Sequence, residues 1–265
     1  MELSWGIFFP CINEIELIEA KIQWALRHDF AVSVCEGHHP QYEDHNEKGL
    51  SIDGTTETLE TYSDQIIYTP KGEVNNEMIL RDIAYQALPK DLDVVIMCDA
   101  DEFYLDKDLD YIDILYKRDK NLMLTLTNSY IFLDNEHCAE HIKRKQSPPF
   151  PFTEGVEVHF GEWHERIFRY SKWHSYQRSP FLINDLYGRF LYNDPNYYGD
   201  RVLLKDVFML HYKNFKMEEA KKRVQMYDEY DDGVKHDDEW DILNKDKIKY
   251  EGEHPIEVQE LMINE

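Results

Sequence analysis

Residues 94 to 98, Val-Val-Ile-Met-Cys, form an unbroken apolar run that stops at Asp99-Ala-Asp-Glu102. A run this short and this rich in β-branched side chains predicts a strand buried on both faces, as in parallel sheets. Parallel strands need crossover connections, so this stretch favours an alternating strand–helix plan. It also puts the carboxylates of Asp99, Asp101 and Glu102 just beyond the carboxyl end of a strand, where open α/β sheets bind their ligands. Crowded carboxylates repel one another unless a cation sits between them. Hard oxygen donors predict Mg²⁺ or Mn²⁺ as that cation. The plainer reading of the same residues is a strand followed by a polar loop.

The preceding chain supplies the plan. Trp5 to Phe9 reads as a first strand, closed by Pro10. Asn13 and Glu14 open a helix whose apolar positions, Ile15, Ile18, Ile22, Ala25 and Leu26, keep a helical period. Phe30 to Cys35 is a second strand, ending in Glu36-Gly37, and the three elements make a right-handed parallel βαβ unit. The polar stretch from His38 to Leu50 contains His38, His39 and His45 without ligand spacing, and reads as a solvated or substrate-covering loop. In Ser51-Ile-Asp-Gly-Thr-Thr56, Asp53-Gly54 marks a turn, and Thr55 or Thr56 can cap a helix running through Leu59. Gln65 to Tyr68 is a third strand. Asn75 to Leu88 is a helix with Met78, Ile83, Ala84 and Ala87 toward the sheet, ended by Pro89.

After Asp106 the pattern changes. Leu109 to Tyr116 is helical and Leu122 to Leu133 is a long extended run. His141 to Pro151 is basic and proline-rich, a surface connection by composition. Phe160 to Asn184 interleaves aromatic and basic side chains, with a strand at Ile167 to Tyr170. A strand at Val207 to Tyr212 and a helix from Met217 to Tyr230 follow, then a charged tail expected to be loosely held. The expected organisation is therefore an α/β portion over residues 1–106, a sheet-completing portion of the same domain over 107–230, and a tail over 231–265.

Charge and cysteine usage narrow the function classes. The 265 residues carry a formal net charge of −24, which argues against binding to bulk duplex nucleic acid. No apolar stretch is long enough to span a bilayer. The start, Met1-Glu-Leu-Ser-Trp5, lacks the basic end and apolar core of a signal peptide. Cys11, Cys35, Cys98 and Cys138 form no CxxC pair, so free buried thiols are expected rather than a structural zinc site. Together these predict a cytoplasmic protein.

Six separated segments, in order, resemble the glycosyltransferases of the GT-A fold, in the family 2-like group. Pro10-Cys-Ile-Asn-Glu14 resembles that family's P-x-x-N-E start. Glu36 followed by Ser51-Ile-Asp53-Gly-Thr55 resembles its acidic residue and S-x-D-G-T, here split by the histidine loop and with Glu in place of the usual Asp. Arg81-Asp82 resembles an R-N pair, and Asp99-Ala-Asp101-Glu102 has the D-x-D-E form of the metal motif. Glu165-Arg-Ile-Phe-Arg169 resembles a late R-L-F-R segment, and His211-Tyr-Lys213 the closing histidine strand.

The resemblance implies a GT-A-type, mostly parallel central sheet flanked by helices, and a metal-dependent transfer of sugar from a nucleotide diphosphate sugar. A UDP-sugar is the favoured donor and a hydroxyl of a glycan or glycoconjugate the acceptor. It implies donor contacts from Pro10, Asn13, Glu14, Glu36, Asp53, Arg81, Asp99 and Lys213. A Mn²⁺ or Mg²⁺ ion would be held by Asp101, with Asp99 nearby and His211 as a further ligand, and would neutralise the diphosphate leaving group. An inverting reaction needs a general base, for which Glu165, then Glu162, is the candidate. Trp163, Trp173 and Tyr176 are candidates to stack on an acceptor sugar. Each has a structural reading as well: the aromatics and His211 as core residues, and Glu165 as an ion-pair partner of Arg166 or Arg169. Two other classes stay open. A nucleotidyltransferase uses a similar sheet, but expects a glycine-rich basic loop where Pro10 to Glu14 has neither glycine nor lysine. A non-catalytic carbohydrate-binding protein would need no metal.

Overall fold

The computed structural model describes residues 2–38, 40, 42–75, 77–132, 137–140, 164–170, 175–176, 183–184, 200–212 and 248–263. The chain divides into two compact units, one of residues 1–125, 165–202 and 254–265, the other of 126–164 and 203–253.

The first unit is built on strands β1 (Trp5–Cys11), β2 (Ala31–His38), β3 (Ile67–Glu73) and β4 (Val94–Met97), with helices α1 (Ile15–Arg27), α2 (Thr55–Thr61) and α3 (Glu77–Ala87) between them. β1 lies between β2 and β4, and β3 flanks β2, all parallel. The short strand β5 (Glu102–Phe103), helix α4 (Asp106–Arg118) and strand β6 (Leu122–Phe132) follow. After β7 (His137–Glu140), strand β8 (His164–Arg169) pairs antiparallel with β4 in the register Ile96↔Ile167. This is the α/β architecture the sequence implies, a mostly parallel central sheet flanked by helices.

Alternation of side chains across the sheet explains why the strands read as continuous apolar runs. Phe8, Cys35, Val95 and Met97 pack with Met78, Leu80, Ala84 and Tyr85 of α3. Phe9 points the other way, and Lys21 of α1 lies over its ring. With both faces covered, Val94 to Met97 are at most 1% exposed.

The sequence expectation differs from the structure in element bounds, the third strand running Ile67–Glu73 among them, and three differences are informative. Pro10 does not end the first strand, which runs on to Cys11. The β1–β4 register stops at Phe8↔Met97, so the missing Pro10 N–H leaves no β4 acceptor unpaired. The second strand continues past Glu36-Gly37, because β2 and β3 keep pairing through a register shift there. A Cβ on Gly37 would sit 2.2 Å from the Gly72 carbonyl oxygen, so the approach needs glycine. Finally, the end of the charged tail is docked. Helix α5 (Ile256–Ile263) buries Val258 fully, and Glu257 accepts from Arg27 Nε at 2.6 Å, while Arg27 Nη1 pairs with Asp106 at 2.7 Å.

Among the described residues the remaining strands are β9 (Ser175–Tyr176), β10 (Ile183–Asn184), β11 (Asp200–His211) and β12 (Ile248–Lys249). β9 and β10 pair antiparallel. In the second unit β7 pairs with the end of β6 and with β12. An aromatic stack, Tyr130 on Phe208 at 4.3 Å and Phe132 on Tyr212 at 4.6 Å with Tyr250 edge-on, holds that unit.

Candidate functional site

The carboxyl ends of β1 and β2 carry a hydrogen-bonded cradle. Asn13 takes a positive φ of 50°, which asparagine tolerates, and turns the chain into α1. Its backbone N–H donates to Ser51 Oγ at 3.0 Å, its side-chain oxygen accepts from Ile52 N–H at 2.9 Å, and Nδ2 donates to the Asp44 carbonyl at 2.6 Å. Glu14 N–H donates to Thr55 Oγ1 at 2.8 Å. Asp53 accepts from Ile15 N–H at 3.0 Å with one oxygen and from Thr55 N–H at 3.0 Å with the other, so one carboxylate satisfies orphan donors at the starts of both α1 and α2. Gly54, at φ 107°, makes the turn between Asp53 and α2. The two motifs that the sequence holds 38 residues apart, as Asn13 and Ser51 stand, are thus one structure.

Glu36 lies beneath this cradle, fully buried. Oε1 accepts from Ser51 N–H at 2.8 Å and Thr56 Oγ1 at 2.6 Å, and Oε2 accepts from the Tyr68 hydroxyl. Burial, then the hydrogen bond to Glu36, pushes the Tyr68 hydroxyl well above its ordinary range, so it stays a proton donor. Glu36 therefore anchors the 51–56 turn from inside the protein.

The acidic turn follows β4. Asp99 has a side chain 31% exposed, whereas Asp101 is 5% exposed and Glu102 fully buried. Their charge is balanced by guanidinium groups from two neighbouring elements. Arg81 of α3 meets Asp99 Oδ1 at 2.6 Å. Arg166 of β8 meets Glu102 Oε1 at 2.5 Å and lies 3.6 Å from Asp99 Oδ2. Glu102 Oε2 accepts from Asp99 N–H at 2.9 Å, closing the turn. Arginines thus supply compensating positive charge to Asp99 and Glu102.

From the opposite side α1 reaches under the turn. Lys21 is fully buried and its ammonium donates to the Glu102 carbonyl oxygen. It sits 4.4 Å from the Trp24 ring centroid and 4.8 Å from that of Phe103. Burial lowers its affinity for its proton, and the nearby Cys98 thiol and Glu102 oppose that. Trp24 Nε1 donates to the Tyr104 carbonyl at 3.2 Å, a second peg one helical turn on. The Cys98 thiol is pushed up to about 12 by burial.

Of the acids, Glu102 does not fit a metal-ligand role, since both of its oxygens bond within the protein. Asp99 and Asp101 fit a hard divalent ion in donor type, although the Arg81 guanidinium shares Asp99. Among the described residues no trio of His, Cys, Asp and Glu side chains is grouped to hold a metal.

The remaining sequence candidates lie on other elements or outside the described residues. Pro10 lies in β1, and Glu165 belongs to β8, two residues before Ile167 in the register with Ile96. Tyr176 is in β9, and His211 ends β11, with its backbone in the second unit. Glu162, Trp163, Trp173 and Lys213, like the helix expected at 217–230 and the basic loop, lie outside the described residues. Sequence reasoning missed Arg166 and Lys21 as site residues. For Lys21 a signal exists: Leu17, Lys21 and Trp24 follow a helical stripe, so the lysine occupies a core position of α1.

No family model matches the chain, and no curated protein matches it. Among solved structures it is similar to a mannosyltransferase from Pyrobaculum calidifontis, in complex with GDP-Man and Mn²⁺. The two share 12% identity at a TM-score of 0.45, over 92% of this chain and 68% of that one. It is also similar to 4-diphosphocytidyl-2C-methyl-D-erythritol synthase from Anaerococcus prevotii, at 13% identity and a TM-score of 0.34, over 48% of this chain and 55% of that one. The chain thus spans about half the length of the second protein. No helix among the described residues is long and apolar enough to cross a membrane.

Proposed function

We propose that this protein is a glycosyltransferase of the GT-A type that moves a sugar from a nucleotide diphosphate sugar, a UDP-sugar being favoured, to a hydroxyl of a glycan or glycoconjugate. The observation that carries the reading is the convergence, at the carboxyl ends of parallel β1, β2 and β4, of the 13–14/51–56 cradle and the Asp99–Glu102 turn. An open α/β sheet binds its ligand in this position. The mannosyltransferase named above binds the same class of donor.

In this reading residues 1–106 hold the donor and 107–230 the acceptor. The cradle from Asn13 to Thr56 takes the nucleoside, with Glu36 and Asp53 fixing its backbone. Arg81 and Asp99 face the phosphates and sugar. A divalent ion on Asp101, with Asp99 beside it, would supply neutralisation of the departing diphosphate. Glu165 is the general base; in support of this, it belongs to β8, the strand that pairs with β4 ahead of the acidic turn. The aromatic residues Trp163, Trp173 and Tyr176 serve the acceptor.

The deciding measurement is a thermal-shift panel of UDP-, GDP-, CMP- and dTDP-sugars with and without Mn²⁺, because a ligand that binds only the folded state raises its melting temperature. Asp101→Ala is expected to remove the Mn²⁺-dependent part of nucleotide binding in isothermal titration. Unchanged affinity in that variant sinks the site assignment.

A further inference from the structure

We infer that Lys21 is a positioning residue for the donor site: its buried side chain pins the turn that carries Asp99 and Asp101 and so sets the geometry in which they meet the nucleotide. The inference rests on the glycosyl-transfer reading of that turn.

A fully buried ammonium on the apolar face of a crossover helix is an expensive feature for a core, because burying a charge without compensation costs several kcal/mol, order of magnitude. Leucine or methionine would pack the same stripe of α1 at no such cost. The compensation is specific. The ammonium donates to the Glu102 carbonyl and lies over the faces of Trp24 and Phe103. Ring faces attract cations, and a desolvated cation most strongly. The Cys98 thiol, at the other end of the turn, lies nearby. Lys21 thus holds the residue after Asp101 by its carbonyl and lies near the residue before Asp99. With Trp24 holding the Tyr104 carbonyl, α1 fixes the turn and its exit from below. Arg81 and Arg166 hold its carboxylates from the sides. Three basic side chains on three elements leave the turn little room to re-aim Asp101.

Two roles for this ammonium make opposite predictions. As a mere counter-charge, its removal leaves the turn more negative and tightens a divalent cation. As a positioning residue, its removal frees the turn and the cation-dependent binding weakens. Supporting residues of this kind cost about 10- to 100-fold in metal affinity or activity when removed.

The test uses the full chain and isothermal titration with UDP and, in parallel, GDP, each with and without Mn²⁺, on wild type and Lys21→Met. The expected result is a metal-free affinity that is unchanged, because the cradle at residues 13–56 is untouched. The extra affinity that Mn²⁺ confers should fall by about 10- to 100-fold. A purely structural role would lower the melting temperature and leave that gain intact in the folded protein. A gain that is unchanged or larger overturns the inference alone. Wild-type protein that binds neither nucleotide overturns the functional reading, and this inference with it. Should Lys21→Met not fold, Lys21→Gln, which keeps a neutral donor for the Glu102 carbonyl, decides by the same criterion, with a smaller loss of the Mn²⁺ gain expected.

Discussion

Arg166→Met tests the charge balance of the acidic turn directly. Arg166 is 4% exposed and its partner Glu102 is fully buried, at an N–O distance of 2.5 Å. Removing one member of such a pair strands the other as an uncompensated buried charge, which costs about 3–5 kcal/mol. Glu102 keeps the Asp99 N–H on its other oxygen, so the loss should fall toward the lower end. At roughly 2–4 °C per kcal/mol for a chain approaching this size, the midpoint should drop by about 6–20 °C. Glu102→Gln alone removes the charge but keeps an acceptor and should cost about 1–3 kcal/mol. The double variant should be less damaging than the sum, by about 2 kcal/mol or more, because no unpaired charge remains. Urea denaturation followed by tryptophan fluorescence gives the three values. Additive losses, or an Arg166→Met cost below about 1 kcal/mol, the scale of an exposed ion pair, would refute the idea that arginine rather than solvent balances this turn.

The turn also shows what was legible in the sequence and what was not. The apolar run ending in carboxylates correctly implied a buried strand and a crowded acidic cluster, because both follow from local order along the chain. The need for a compensating cation was likewise sound electrostatics. The guanidinium partners could not be read, since Arg81 and Arg166 come from elements 18 residues before and 67 residues after Asp99 (99 − 81 and 166 − 99). A guanidinium arriving through tertiary packing leaves no spacing signature. Lys21 stands between these cases: its position on the buried stripe of α1 is visible in sequence, but its target, the Glu102 carbonyl, is not.

The cradle illustrates the same limit from another side. The motifs at Asn13–Glu14 and Ser51–Thr55 were recognisable as separate segments by residue type. Their joining depends on backbone donors, such as Ser51 N–H to Glu36 and Ile15 N–H to Asp53, and backbone groups look alike at every position in a sequence. Glu36 is the informative residue. The resemblance implies a donor contact from Glu36, and in the structure its oxygens accept from Ser51, Thr56 and Tyr68. One carboxylate with that many internal donors orders a turn that carries several backbone groups.

Two further outcomes follow. Glu165→Gln should leave the melting temperature and nucleotide affinity near wild type while turnover falls by about 10²–10⁴, as for loss of a general base; near-normal turnover in an assay of sugar transfer rejects the role. Arg27→Met should loosen the C-terminal helix, because Glu257, with a side chain 6% exposed, loses its charged partner, at a cost of about 1–3 kcal/mol. Asp106 adds a pH dependence. The hydrogen bond from Arg27 holds its carboxyl below the ordinary carboxylate value, against the opposing effect of burial. A depressed folded-state value means stabilisation that is complete above the unfolded value, about 3.9, and is lost as pH falls through the folded one. Because the Asp106 side chain is 57% exposed, solvent screening limits this share to about 0–1 kcal/mol. The stability advantage of wild type over Arg27→Met should therefore be flat from pH 7 to about 5 and narrow between about 5 and 3. An advantage that widens as pH falls through that window would mean that the ionised Arg27–Asp106 pair does not add to the stability of the fold.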